Sequence, residues 1–218
     1  GQVYWLKVYE VPQGSRISRG KPIVNLFPLM PGEKINAILA VKDFVDDQYI
    51  FMATAKGTVK KTPLSDFSNP RKSGIISIKL ANGDYLVGAG VTNGEQDIIL
   101  VSNGGKAVWF DEHDVRSMGR NAAGVRGMKL PTDQQVLSLL IASSEEESVL
   151  VATENGFGKR TILSEFRKSG RGTQGVKAIQ VSDRNGVVVA AKLVGDHDEI
   201  MLITTGGVLI RTRVSEIR

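Results

Sequence analysis

One glycine recurs along this chain, at Gly1, Gly57, Gly105, Gly156 and Gly207, with spacings of 56, 48, 51 and 51 residues, and each opens a β-rich run. Nine positions after each stands an acidic residue, in turn Glu10, Asp66, Asp114, Glu165 and Glu216, and behind it an apolar one, Val11, Phe67, Val115, Phe166 and Ile217. Self-similarity at a period of about 50 residues marks a stack of supersecondary units, none of which can cover its own apolar faces alone. Few globular folds survive that constraint.

A second glycine recurs at Gly20, Gly74, Gly124 and Gly175, and an apolar segment follows each: Lys21 to Leu26, Ile75 to Leu80, Val125 to Leu130 and Val176 to Val181. Their partial alternation predicts strands half buried on each face. Two further apolar runs close each unit, such as Tyr85 to Val91 and Ile98 to Val101, or Val187 to Leu193 and Ile200 to Ile203. Acidic turns separate them, Asn93 to Asp97, Glu145 to Glu147 and Gly195 to Glu199. Lys56-Gly57, Asn103-Gly104-Gly105, Asn155-Gly156 and Gly206-Gly207 mark hairpins whose turns need the positive φ that glycine or asparagine supplies. The sequence therefore predicts an all-β, propeller-like array of four-stranded blades with no long helix, about four complete repeats plus a partial one, as a single domain over residues 1–218. A β-sandwich is the alternative, but a sandwich has no reason to repeat at this period. The register, opening on the turn glycine and stopping within a fifth unit, predicts that the array continues beyond the chain and leaves ring closure open.

Charge is segregated inside every repeat. The segments Val11 to Lys21, Phe67 to Ser77, Val115 to Gly127 and Phe166 to Lys177 hold 12 of the 28 lysines and arginines and no acid, in a chain with 23 acids and a net charge of +5. Equivalent loops of stacked units lie on one side of an array. Arg16, Arg19, Lys21, Arg71, Lys72, Arg116, Arg120, Arg126, Arg167, Lys168, Arg171 and Lys177 are therefore expected to form one belt for a polyanion, against the plainer reading of solvated loops. Such a belt neutralises phosphates with little sequence preference and strong salt dependence. A curved one lets duplex DNA bend along it. A second basic set, Lys7, Lys60, Lys61, Lys159, Arg160, Arg211 and Arg213, follows the turn glycines and is a further candidate for DNA contact, or else charges an edge strand against aggregation. Trp5 and Trp109, at the same repeat position, read as packing residues rather than base stackers.

Other chemistries lack their residues. With no cysteine there is no disulfide, thiolate nucleophile or cysteine metal site, which fits a reducing cytoplasm. His113 and His197 are too few for a histidine metal site, and no Walker loop or serine elbow occurs. No apolar run reaches the roughly 18 residues of a membrane span, and the N-terminus lacks signal-peptide order.

The strings GQVYWLKVYEVP, RGKPIVNLFPL, FMATAKGTVKKTPLSDF, GVRGMKL, VATENGFGKRTILSEF and GGVLIRTRVSEI resemble the C-terminal domain of the DNA gyrase A family over the whole chain. The resemblance implies a β-pinwheel that wraps DNA around a basic perimeter. It implies service in a bacterial, nucleoid-associated type IIA topoisomerase, a heterotetramer with the gyrase B ATPase, whose ATP hydrolysis drives negative supercoiling. The family's box Gln-Arg-Arg-Gly-Gly-Lys-Gly is absent and only Gly170 to Gly175 echoes it; in relatives the box lies upstream of the position of Gly1. None of Tyr4, Tyr9, Tyr49 or Tyr85 matches the active-site tyrosine motif, so the chain is expected to be non-catalytic, without a cofactor or metal. The related domain of the topoisomerase IV counterpart, which bends DNA without the same wrap, and a WD40-like protein-interaction propeller are the alternatives.

Overall fold

The computed structural model describes residues 1–217; Arg218, the end of the partial fifth unit, lies outside the described residues. The described chain is all-β, its strands joined by turns and short 3-10 segments. In chain order the strands are β1 (Gln2–Val3), β2 (Tyr49–Thr54), β3 (Thr58–Pro63), β4 (Ile75–Ile76), β5 (Leu86–Thr92), β6 (Asp97–Ser102), β7 (Lys106–Asp111), β8 (Val125–Arg126), β9 (Val136–Ala142), β10 (Ser148–Thr153), β11 (Gly158–Ile162), β12 (Val176–Lys177), β13 (Val188–Val194), β14 (Glu199–Ile203) and β15 (Leu209–Arg213).

Four of the five recurring turn glycines, all but Gly1, close a hairpin. Gly57, Gly105, Gly156 and Gly207 adopt φ of 82°, 75°, 82° and 80°. Their N–H groups donate to the carbonyls of Thr54, Ser102, Thr153 and Thr204, all at 3.0 Å. This is the three-residue loop with a left-handed glycine that suits twisted antiparallel strands. The hairpins are β2–β3, β6–β7, β10–β11 and β14–β15.

Sheet order then shows how the units interlock. One sheet runs β5-β2-β3-β8 and the next β9-β6-β7-β12, so the strand at the outer edge of each blade comes from the following repeat. The same exchange pairs β1 with β4. The carbonyl of Gly57 accepts from the N–H groups of Gly127 and Met128, and that of Gly105 from Ala178 and Ile179. This docking explains the second glycine. Gly124 and Gly175 have φ of 90° and 75°, and a Cβ there would lie 2.6 Å from the Val59 carbonyl oxygen and 2.3 Å from that of Ala107. Only glycine lets the segment turn and approach the preceding repeat's backbone together.

Blades stack through both faces, with apolar layers between successive units. Along β2, Ile50 and Met52 face the layer shared with the first unit, whereas Phe51 and Ala53 face the third. Burial on both faces explains why FMATA and IILVS read as continuous apolar runs rather than alternating ones. The third strands lie innermost, β5 against β9 and β9 against β13. A Cβ on Gly90 would meet Ile141 Cδ1 at 2.3 Å, so small residues in β5 make room for their larger neighbours.

The acidic position with its apolar follower ends a 3-10 turn in every unit: Val8–Glu10, Leu64–Phe67, Glu112–Asp114, Leu163–Glu165 and Val214–Glu216. Two expectations need correction. The strands expected over Ile75 to Leu80, Val125 to Leu130 and Val176 to Val181 are each only two residues long, because the antiparallel register carries the following residues past the start of the partner strand and onto its turn glycine. Lys21 to Leu26 is no strand: Ile23–Asn25 is an exposed 3-10 turn, since Pro22 has no N–H to donate and no earlier hairpin pairs with it among the described residues. Unit one contributes only β1 and β2, not four strands.

Candidate nucleic-acid interface

The third and fourth basic segments leave the 3-10 turns of their own units, run along the exposed edge of the preceding blade's hairpin, and end as that blade's outermost strand, and the second ends in the same way against β1. The Met118 N–H donates to the Lys61 carbonyl at 2.9 Å, and one unit later the Ser169 and Gly170 N–H groups donate to Trp109 at 3.0 and 3.2 Å. The Gly172 N–H reaches the Gly127 carbonyl and that of Lys129 the Thr173 carbonyl, tying the third and fourth segments together. Topology thus puts these segments on the outer perimeter, away from the inner strands.

Of the twelve belt residues, eleven are exposed and Arg120 is half buried. They divide by what their side chains do. Arg16, Arg19, Lys21, Arg71, Lys72, Arg116, Arg126 and Arg167 make no ion pair or side-chain hydrogen bond among the described residues. Lys177 donates to Gln180 at 2.8 Å. Three others are engaged. Lys168 pairs with Asp97 at 2.7 Å and lies 5.2 Å from the Trp109 ring centre; its hydrogen bond to Asp97 holds its pKa above the usual lysine value. Arg171 donates to the carbonyls of Asp114, at 3.1 Å, and Arg126, at 2.8 Å. Arg120, at the equivalent position one unit earlier, donates to the Ile76 carbonyl at 3.4 Å. Ile76 and Arg126 are themselves equivalent, so these two arginines fasten each segment to the preceding unit's edge.

The second basic set does not behave as one group. Lys60 and Lys61 are buried, not on the perimeter, and that corrects their candidacy for DNA contact. In a strand packed between two blades, successive residues point into opposite interblade layers. Lys60 Nζ donates to the Ser77 carbonyl at 2.7 Å and to that of Arg120. Burial, with a smaller push from the Arg120 charge that Asp66 opposes, lowers its pKa to about 8. Lys61 pairs with Glu112 at 3.7 Å. Lys159, Arg211 and Arg213 are exposed; Arg160 pairs with Asp196 and Arg211 with Glu199, and Lys7 is exposed near the first 3-10 turn. Trp109 is buried in the layer between the third and fourth units, and Trp5 packs into the first.

Three perimeter lysines lie outside the acid-free segments. Lys79 and Lys129 occupy one repeat position, exposed between a buried and a half-buried apolar residue. Lys106 sits directly across the β7–β12 pair from Lys177, with no acid bound to either among the described residues. Opposed like charges on a strand pair are unfavourable unless an anion lies between them. The pattern buried–cation–apolar behind the second glycine is the signal that finds Lys79 and Lys129.

The sequence matches the family described as DNA gyrase C-terminal domain, beta-propeller, over residues 1–42, 48–93, 96–143, 147–194 and 198–218, and the breaks fall at or beside the turns that separate blades. It is 52% identical over 217 residues to the DNA gyrase A protein of Salmonella typhimurium, covering 100% of this chain and 25% of that protein. The identity to the DNA gyrase A protein of Escherichia coli K12 is 49%, with the same coverage. The chain thus spans about a quarter of the length of these relatives. Among solved structures, the C-terminal domain of DNA topoisomerase IV superposes with a TM-score of 0.91 at 32% identity, covering 100% of this chain and 68% of that one. The DNA gyrase A C-terminal domain gives 0.82 at 30% identity, covering 99% and 70%.

Proposed function

Because the chain belongs to the DNA gyrase C-terminal domain family, we propose that it binds duplex DNA without sequence preference and bends it around the outer perimeter, as the non-catalytic DNA-wrapping part of a gyrase A protein. The observation that carries this reading is the row of unpaired cations in successive equivalent loops: Arg71 and Lys72, then Arg116 and Arg126, then Arg167. Each can replace condensed counterions on a phosphate, and bending the duplex along the row offsets its elastic cost with further contacts. In the whole enzyme, with the gyrase B ATPase and in the bacterial cytoplasm, such a wrap presents a crossing DNA segment in one sense and so supports negative supercoiling. The chain itself makes and breaks no bond.

The topoisomerase IV match favours a second reading, in which the same belt bends DNA without closing a wrap. Two measurements test the proposal. Affinity for linear duplex DNA should fall with salt at a log–log slope of roughly −0.9 per phosphate contacted; affinity unchanged by salt refutes the belt. Ligation of nicked circles on the protein should then shift the linking number for a wrap and leave it unchanged for a bend.

A further inference from the structure

The repeats share their turn glycine, their 3-10 turn and their exchanged strand, so nothing in those features says which unit should follow which. One pair of positions does. The fourth residue after each turn glycine faces the next blade, and the seventh after the next glycine faces back. Between units one and two the pair is Trp5 and Leu64, in one apolar layer. Between three and four it is Trp109 and Leu163, also in one layer. Between two and three it is Lys61 and Glu112, with side chains 8% and 0% exposed. Between four and five Val214 is buried, while Arg160 turns to Asp196.

The charged pair is fully accommodated where it stands. Lys61 Nζ lies 3.7 Å from Glu112 Oε1, donates to the Glu112 carbonyl at 3.3 Å, and sits 4.8 Å from the Tyr49 ring centre. Glu112 also accepts from the Thr92 hydroxyl and from the Gln96 N–H at 3.2 Å. Any other arrangement is costly. A unit offering Leu163 in place of Glu112 would leave the Lys61 ammonium buried without a counter-ion. The third unit docked on Trp5 or Trp109 would bury its carboxylate against an indole. Removing one partner of a buried pair costs far more than the intact pair is worth, so a buried pair penalises a mismatched neighbour more than it stabilises the matched one.

We infer that Lys61 and Glu112 form a recognition pair that fixes blade order: the face of the second blade fits only a repeat carrying an acid seven residues after its turn glycine, within this chain or from a second copy of it. The inference is independent of DNA binding. To test it, the full chain is unfolded in urea, refolded, and assayed by size-exclusion chromatography and thermal melting. Lys61→Met alone and Glu112→Leu alone should each lower Tm by about 10 °C. The double variant Lys61→Met/Glu112→Leu should regain most of that loss yet refold to less than half the wild-type monomer fraction, the rest being exchanged oligomers. Lys61→Met/Glu112→Gln, which keeps an acceptor for Thr92 and Gln96, repeats the test if the first double variant fails to fold. Single variants without a Tm change, or a double variant that refolds with wild-type monomer yield, overturn the assignment.

Discussion

The second and fourth blades carry a pair of basic residues in the same places and treat them in opposite ways. Lys60-Lys61 on β3 and Lys159-Arg160 on β11 stand at identical distances from their turn glycines, yet the first pair is buried and the second exposed or half buried. β3 has the following repeat's strand on its edge and a blade on each face, whereas β11 has no outer partner among the described residues. The turn glycines differ likewise. A Cβ on Gly57 would meet the Met128 carbonyl oxygen at 2.6 Å, but one on Gly156 meets nothing within 4 Å. A residue's environment here is set by the repeat that comes next.

The sharpest way to break this contrast is to truncate the two lysines. Lys60→Ala strips the Ser77 and Arg120 carbonyls of their donor and leaves a cavity, at a cost of about 3 kcal/mol in urea-unfolding stability. Lys159→Ala should fall within about 0.5 kcal/mol of wild type. Equal losses would show that the two blades are not differently covered. Next come the turn glycines. Gly156→Ala should cost about 1 kcal/mol for its left-handed φ alone, and Gly57→Ala, which must also displace the docked backbone, about 2 to 3 kcal/mol. Equal melting shifts would remove the exchanged strand as the cause.

The lowered pKa of Lys60 sharpens the comparison further. Between its folded value, about 8, and the ordinary lysine value of 10.5, the unfolded chain holds this proton more tightly than the folded one, so stability contributed at this site rises with pH across that window. Urea midpoints at pH 8 and 10 should therefore show wild type gaining on Lys60→Met; a constant difference would mean that burial does not disfavour the charge. The smallest effect concerns the perimeter. Arg126→Ala should reduce the salt slope of DNA binding by roughly 0.9, and Arg171→Ala, whose guanidinium is held by Asp114 and Arg126, should leave the slope nearly unchanged while lowering Tm. Equal slopes for the two variants would erase the distinction between free and fastened cations.

Much of this was legible in the residues. Recurring glycines mark the hairpins because only positive φ requires glycine at a fixed period, and the acid with its apolar follower, legible only as a repeat marker, stands at the end of each 3-10 turn. What escaped depends on contacts between units. Nothing local distinguishes Lys60-Lys61 from Lys159-Arg160, since their burial is supplied by other segments of the chain, around Ser77 and Arg120 for Lys60 and Glu112 for Lys61. The length of β4, β8 and β12 is set by a partner strand, not by the apolar runs that suggest longer ones. Glu112 was the exception that left a trace: it is an acid where the other units carry Val8, Leu64, Leu163 and Val214.

The exchanged strand also fixes how the array carries a mechanical load. Under the proposed function, a stiff duplex held in a bend would pull outward on the basic segments. The second, third and fourth segments are each anchored at one end in their own unit and at the other by antiparallel pairing to the unit before. Tension therefore enters two blades at once and runs along the backbone from one to the next, so the perimeter resists as a continuous strap and no single blade has to hold the curvature.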